Sequence, residues 1–512
     1  MKKPLLILLM AVFMLFTSAV ASHSGYTITQ LTDNDYNDQT PQINDNGYVV
    51  WTGNSGRIFL YDGANTIQIA DNGYTPQINN NGHVAWNGSD GTDWQIYLYD
   101  GDSIIQITDN SFTDESPQIN DNGYIAWSGG TDSYDSSAFN PCTRDGYEIF
   151  LYDGNSITQI TNNAVDDHSV QINNNGQIVW KRYHGLGRNS KTDPCGTVYG
   201  KAEIDYEIFY YDGTNITQIT DNSCDESNIQ LNENGDVVWD CDGEIYLYNG
   251  TAVVQITDND FVDSGSNPDI NDSGHIVWVS YNGDLFLYNG VSTLNIGNGS
   301  NPDSLPQISN NGHIVWRIRN GLYIYDGTST SLITDNASGG HKINNNGYVV
   351  WTGLGEPEYE IFLAIPNTLS VYRFWSDNFR GHFYTANEAE KQHLICCDPN
   401  WNYEGIAWFA YLDEKPGTVP IYRFWSYIFG HHFYTASLSE RDHLICCDSN
   451  WNYEGIAWYA YPYELDNTLS IYRFWSDNFR GHFFTASEGE RDQLINNDPN
   501  WSYEGVAYHA LP

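Results

Sequence analysis

The sequence predicts an all-β fold built from two different repeat systems, and three observations carry that expectation. A sentence of residues, Gln-Ile-Asn-x-Asn-Gly-x-Val-x-Trp, then Ile-Tyr-Leu-Tyr-Asp-Gly, then Ile-x-Gln-Ile-Thr, recurs through residues 26–364. Its tryptophans (Trp51, Trp86, Trp127, Trp180, Trp239, Trp278, Trp316 and Trp351) mark eight copies, 35 to 59 residues apart. From residue 371 a different unit recurs three times with a period of 50. Composition agrees, because 38 Tyr, 17 Trp and 46 Gly beside 3 Met suit short strands joined by tight turns.

The elements follow in chain order. Lys2 and Lys3, the apolar run Leu5–Phe16 and Ala19-Val20-Ala21 read as a signal peptide over 1–21. The run is short for a membrane span, and no later stretch is long enough. An exported chain with eight cysteines can hold disulfides.

Residues 22–364 form the first system. In its first copy Gln42–Asn44, Tyr48–Thr52, Ile58–Asp62 and Thr66–Ala70 alternate apolar and polar residues, as strands do. Asp45-Asn46-Gly47 joins the first two with the positive φ a tight hairpin needs. Four antiparallel strands repeated radially make a propeller blade. A lone fourth-type strand, Thr27–Thr32, precedes the first copy, and none follows Glu360–Leu363 in the last. The sequence therefore predicts eight blades, the last completed by the N-terminal strand, which removes two exposed edges. The repeated Trp is expected between blades.

These motifs, Pro-x-Ile-Asn-x-(Asn/Ser)-Gly, Ile-Tyr-Leu-Tyr-Asp and the closing Ile-Thr, resemble the TolB-like propellers of exported bacterial proteins. The resemblance covers about two-thirds of the chain and implies architecture rather than activity. The chain departs from that family in using Asn where Ser-Pro-Asp is usual and in having more than six units.

Two second-to-third-strand spacers, Gly129–Tyr147 and Lys181–Tyr206, are much longer than the rest. Cys142 and Cys195 lie in them and are expected to pair; Cys224 and Cys241 are expected to pair on the same face. Six of this region's ten Lys and Arg fall in the same stretch: Arg144, Lys181, Arg182, Arg188, Lys191 and Lys201. Arg144, Lys181, Arg182 and Arg188 are candidate anion ligands. A catalytic version makes Tyr183 or His184 a base, with Lys181 or Arg182 neutralising a uronate. The acid-rich loop Asp33–Asp38 offers Asp33, Asp35 and Asp38 as structural Ca²⁺ ligands, against ordinary turn chemistry; no other cofactor is expected.

Residues 365–370 read as a linker and 371–512 as the second system. Each unit reads strand, strand, helix, strand. Each helix opens on a capping box: Asn387 with Glu390, Ser437 with Glu440, Ser487 with Glu490. Leu394-Ile395 are expected to bury the helix end. One unit is too small to bury its own core, so a trefoil-like or small closed array is expected. The units resemble a family of secreted bacterial and fungal triple repeats classed as a domain of unknown function, through Tyr-Arg-Phe, Gly-x-His-Phe-Tyr-Thr and Trp-x-Tyr-Glu-Gly. Phe484 and His431 depart from that pattern. The resemblance implies an appendage of exported proteins with no established activity.

One sugar pocket per repeat is expected. Its candidates are Tyr372, Arg373, Trp375, His382, Trp401 and Glu404; Tyr422, Arg423, Trp425, His432, Trp451 and Glu454; and Tyr472, Arg473, Trp475, His482, Trp501 and Glu504. The alternative is that Arg and Glu pair and the aromatics are core. Cys396-Cys397 and Cys446-Cys447 are vicinal disulfides or cross-links between repeats; Asn496-Asn497 replaces them in the third.

The formal charge is −44, and 19 − 65 = −46 without Lys2 and Lys3. Such a field disfavours nucleic acid and anionic lipid. The function expected is a secreted, periplasmic or extracellular, non-enzymatic protein that recognises glycan or surface polysaccharide. The alternatives are a polysaccharide lyase with its site on the long-loop face and an envelope protein–protein scaffold. No nucleophile elbow, zinc-binding His pair or phosphate loop is present in the sequence.

Overall fold

The computed structural model describes residues 21–23, 25–130, 146–163, 165–186, 191–192, 198–199, 204–258, 267–280, 282–297, 302, 305–355, 358–415, 417–465 and 468–511. Residues 1–20 of the expected signal peptide, Cys142, Cys195, Arg144, Arg188 and Lys201 lie outside them, as does the His184 side chain. Among the described residues no helix is long and apolar enough to cross a membrane. The chain divides into two compact units, one containing residues 28–364 and the other 365–512 with 25–27.

The first unit is a β-propeller architecture of consecutive antiparallel sheets. Seven are four-stranded and built from successive segments; Gln39–Ile43, Val49–Gly53, Arg57–Tyr61 and Thr66–Ala70 make the first. An eighth sheet mixes the ends of the unit: Tyr26–Gln30 lies beside Tyr359–Pro366, followed by Val349–Leu354 and His341–Ile343, with Ala21–His23 on the edge. Leu31 N donates to Ile361 O at 2.8 Å.

Each repeated Trp is at most 2 % exposed. It stacks on the ring opposite it in the next strand, as Trp51 does on Phe59 at 5.7 Å. Its other neighbours come from the preceding sheet, so Trp86 packs with Val50, Ile58 and Leu60. The tryptophans are thus the cement between sheets, as expected.

The Asn of Gln-Ile-Asn has two tasks. Asn44 Oδ1 accepts from Tyr48 N of its own turn at 2.9 Å, and Asn44 Nδ2 donates to Asn79 O of the next unit at 2.8 Å. The pattern continues from Asn79 to Asn120, Asn173, Asn232, Asn271 and the Ser309 carbonyl, and Asn344 donates to Asn44 O at 2.8 Å. A second circuit lies beside it: Asp45 N donates to Asn80 Oδ1 at 2.8 Å, and Asn345 N to Asp45 Oδ1 at 2.9 Å. These buried bonds explain why Asn stands at this position, since Ser is too short to span two units.

The second unit holds three separate three-stranded sheets. In each repeat a central strand, Leu369–Ser376, is flanked by Gly381–Thr385 and Asn402–Ala410. Helices α1 (Glu388–Cys397), α2 (Leu438–Cys447) and α3 (Glu488–Asn497) link the flanking strands. Gly405 at φ +112° faces Arg373 at a bulge, which explains the Gly of Tyr-Glu-Gly. The expected linker is mostly strand, with Asn367-Thr368 between Tyr359–Pro366 and Leu369–Ser376.

One core serves all three repeats: Val371, Ile421 and Ile471, then Tyr384, Tyr434 and Phe484, then Trp408, Trp458 and Tyr508. Single bridges tie repeat to repeat: Phe409 to Leu511, Tyr411 to Tyr459, and Tyr461 to His509. At its centre Tyr384 Oη donates to Phe484 O at 2.5 Å and Tyr434 Oη donates to Tyr384 O. Phe484 has no hydroxyl to complete the circuit.

Candidate functional site

The capping boxes are only half formed, and the departure builds the site. Asn387 Oδ1 accepts from Glu390 N at 3.0 Å, as a cap should. Glu390 does not reach back to the Asn387 N–H. That N–H donates to Thr385 Oγ1 at 3.0 Å, and the Thr385 hydroxyl donates to Glu390 Oε2 at 2.5 Å. The carboxylate is thereby turned outward, where Arg423 of the next repeat meets it at 2.9 Å. Glu440 receives Arg473 in the same way at 3.1 Å, and Glu490 receives Arg373 at 3.0 Å. The three ion pairs form a closed circuit around the unit.

Each Arg also pairs within its own repeat: Arg373 Nε lies 2.9 Å from Glu404, as Arg423 does from Glu454 and Arg473 from Glu504. His382 Nε2 lies 3.2 Å from Glu404, and His432 and His482 meet Glu454 and Glu504 at 3.3 Å. Each imidazole packs on a neighbouring repeat's Phe, His382 on Phe483 at 4.6 Å. Burial lowers the pKa of all three histidines despite the adjacent carboxylates. Burial would raise Glu404, but His382 and Arg373 outweigh it and hold its pKa below the usual range.

A cleft of about 210 Å³ opens beside this cluster. Arg373, Glu404, Ile406 and Trp408 of the first repeat line it with Thr485, Ser487 and Glu490 of the third. Trp408 is buried, and its indole N–H has no partner among the described residues. The cleft combines two carboxylates, one guanidinium and two hydroxyls, so its net charge is about −1, suited to hydroxyl-rich or cationic ligands rather than anions.

The structure therefore gathers Arg373, His382 and Glu404, and their equivalents, into one cluster. Tyr372, Tyr422 and Tyr472 fall elsewhere: they are buried in their own sheets beneath a helix cation. Lys391 Nζ sits 4.4 Å from the Tyr372 ring centre and pairs with Glu388 at 2.7 Å. Trp401 is half-buried against Phe379 and Phe383. Trp375 packs at a tilt on His382 at 4.8 Å and donates to Asp377 at 2.9 Å. Sequence reasoning missed Glu390, Glu440 and Glu490 as site residues, because it read them as caps. Ile395 is 48 % exposed rather than buried; Leu394 alone packs inward.

In the first unit, Arg182 grips Asp167 through two bonds of 2.7 and 3.0 Å. Lys181 lies over the Tyr206 ring at 4.7 Å and donates to Glu226 O at 3.3 Å. Both cations are engaged within the fold. Tyr183 lies edge-on to Tyr206 at 5.8 Å. Asp38 accepts from Trp51 Nε1 at 3.0 Å and from Asn34 Nδ2 at 2.7 Å. Asp114 and Asp167, each the first residue of a strand, receive Trp127 and Trp180 similarly, so these acids anchor the buried indoles. Asp33, Asp35 and Asp38 are not gathered into a metal-ligating cluster. Cys224 pairs with Cys241, and both adjacent cysteine pairs are vicinal disulfides.

A family model described as a domain of unknown function, DUF5648, matches residues 370–511. A search of curated proteins finds no match. Similar solved structures include an oligogalacturonate lyase in complex with manganese, at 11% identity, covering 68% of this chain and 96% of that one with a TM-score of 0.41. The β-propeller domain of the trilobed protease from Pyrococcus furiosus has 13% identity, coverages of 59% and 98%, and a TM-score of 0.38. TolB from Acinetobacter baumannii has 15% identity, coverages of 52% and 61%, and a TM-score of 0.29.

Proposed function

We propose that this chain is an exported, non-enzymatic recognition protein whose C-terminal repeats bind carbohydrate, with the first unit as an eight-bladed, closed propeller scaffold. The observation that carries the binding reading is the cleft beside Arg373, Glu404 and Glu490, with a buried indole N–H lacking a partner in its wall. Sugar hydroxyls both donate to carboxylates and accept from N–H groups, so they satisfy both kinds of wall. The repeat places equivalent residues around the unit, and three weak sites on one body gain avidity. Ring closure is supported by the Asn344-to-Asn44 and Asn345-to-Asp45 bonds between the last and first copies. Export is supported by the N-terminal sequence and by the disulfides.

Recognition is favoured over lyase chemistry because Lys181 and Arg182 are engaged by Tyr206 and Asp167. The test is a glycan array probed with the full chain, carrying neutral and uronate-containing glycans. Retention on neutral glycans is expected. Retention on none would refute the reading.

A further inference from the structure

The three C-terminal repeats are near copies, so a place where one differs is informative. The tip joining the first two strands reads Ser-Asp-Asn-Phe-Arg in the first and third repeats and Ser-Tyr-Ile-Phe-Gly in the second. The backbone of the turn is held alike in all three: Phe379, Phe429 and Phe479 N–H groups donate to Ser376, Ser426 and Ser476 Oγ at 3.2 Å. The difference is therefore in the side chains.

In the first and third repeats a carboxylate caps the indole: Trp375 Nε1 donates to Asp377 at 2.9 Å and Trp475 Nε1 to Asp477 at 2.8 Å. In the second repeat Tyr427 stands in place of that Asp. Its ring meets Trp425 edge-on at 5.8 Å and 83°. Tyr427 is 82 % exposed and Ile428 65 %. The substitution removes the acid of the sister tips, and Gly430 replaces their Arg, so this tip is uncharged. Its inner wall leads to the ionic cluster, since Trp425 packs on His432 at 4.5 Å and His432 reaches Glu454 at 3.3 Å.

We infer that the second repeat carries an aromatic sugar-binding corner, formed by Trp425 and Tyr427, that its sister repeats lack. This inference rests on the carbohydrate reading above, adds one contact to it and names what that contact takes. One ring offers a face for the C–H side of a pyranose, and the other walls it. The indole N–H, released from its carboxylate, donates to a ring hydroxyl. A neutral tip selects a neutral sugar. Flat C–H faces belong to sugars with equatorial substituents, so the class is β-linked glucose or N-acetylglucosamine.

The sister repeats supply substitutions that this turn already tolerates. The experiment titrates cellohexaose, chitohexaose and polygalacturonate into the full chain, with tryptophan fluorescence and calorimetry as readouts. The paired substitution Tyr427→Asp with Ile428→Asn is expected to weaken hexaose binding at least ten-fold without moving the thermal transition. Asp377→Tyr with Asn378→Ile is expected to add a second site of similar strength. Unchanged hexaose binding by the first variant overturns the inference and leaves carbohydrate binding standing, as does binding of polygalacturonate alone. Binding of none of the three overturns both.

Discussion

The two units solve the same problem, joining one repeat to the next, with different chemistry. In the first, Asn side chains donate to the next unit's carbonyl at seven junctions, and Ser309 leaves the eighth to the Asn310 backbone N–H, which donates to Asn345 Oδ1. In the second, guanidinium–carboxylate pairs cross each junction. The consequence is that acids are treated in opposite ways. In the first unit Glu226 is pushed up to about 8 and Glu233 to about 7, burial being the main cause and neighbouring carboxylates adding to it. Burial likewise raises Asp38 and Asp269 to about 6. In the second, Glu404, Glu440, Glu454, Glu490 and Glu504 are all held below their usual range by Arg and His partners. Burial without a cation raises these acids of the first unit, whereas the Arg and His partners of the second hold its glutamates low.

The largest effect expected on this comparison comes from the packing beneath the joints. Trp180→Ala empties a fully buried site between two sheets and should cost about 3–5 kcal/mol of stability in urea unfolding. A loss below about 1 kcal/mol would mean that the amide circuit, not the indole, holds the sheets together.

Arg423→Ala breaks one ionic joint and leaves Glu390 and Glu454 facing each other. Both carboxylates are partly exposed, so solvent screening limits the expected loss to about 1–2 kcal/mol. Urea unfolding in low and high salt checks this, because an ionic joint should weaken with salt.

Phe484→Tyr should complete the central hydroxyl circuit by donating to Tyr434 O, as Tyr384 and Tyr434 do for their neighbours. A gain of about 0.5–1.5 kcal/mol is expected, read as a raised midpoint in the same unfolding assay. A loss would show that the third position has no room for the oxygen.

The pH responses should oppose each other, in smaller steps. A carboxyl whose folded pKa is raised adds stability as pH falls from about 8 toward about 4.3, its unfolded value. His168, His275 and His341 act against the carboxyls of the first unit but are outnumbered. In the second unit His382, His431, His432 and His482 have lowered pKa values, so their contribution is lost as pH falls through about 6.5. The glutamates there add a further loss below about 4.3. Hydrogen exchange corrected for intrinsic rates, compared at pH 7.5 and 5.5, should show strands of 28–364 better protected at the lower pH and strands of 369–511 less. Movement in the same direction would break the comparison.

What could be read beforehand follows the same division. Trp burial, Asn-Gly turns and the mixed final sheet were legible because each is a local pattern repeated in register. The roles of Asp38 and Glu390 were not, because each depends on a partner outside its own segment. Asp38 sits in a string that reads as turn chemistry or a Ca²⁺ loop, and its bond from Trp51 is invisible there; Glu390 reads as a cap, and Arg423 of the next repeat lies 33 residues away. Phe484 was visible as a departure, but its meaning required the neighbouring carbonyl. Tyr427 and Ile428 are equally visible as departures, but their exposure and the Trp425 ring beside them are not.

The central proposal is that the cleft between the first and third repeats, with its equivalents by repeat symmetry, binds carbohydrate. Ile406, Ile456 and Val506 are exposed, and Ile406 lines the cleft. Replacing all three with Trp is expected to fill that cleft and its equivalents while keeping every Arg and Glu of the joints. Titration of the full triple variant with neutral oligosaccharides should show binding at least ten-fold weaker than the parent chain, with an unchanged thermal transition. Parent-like binding by the filled variant would contradict the account.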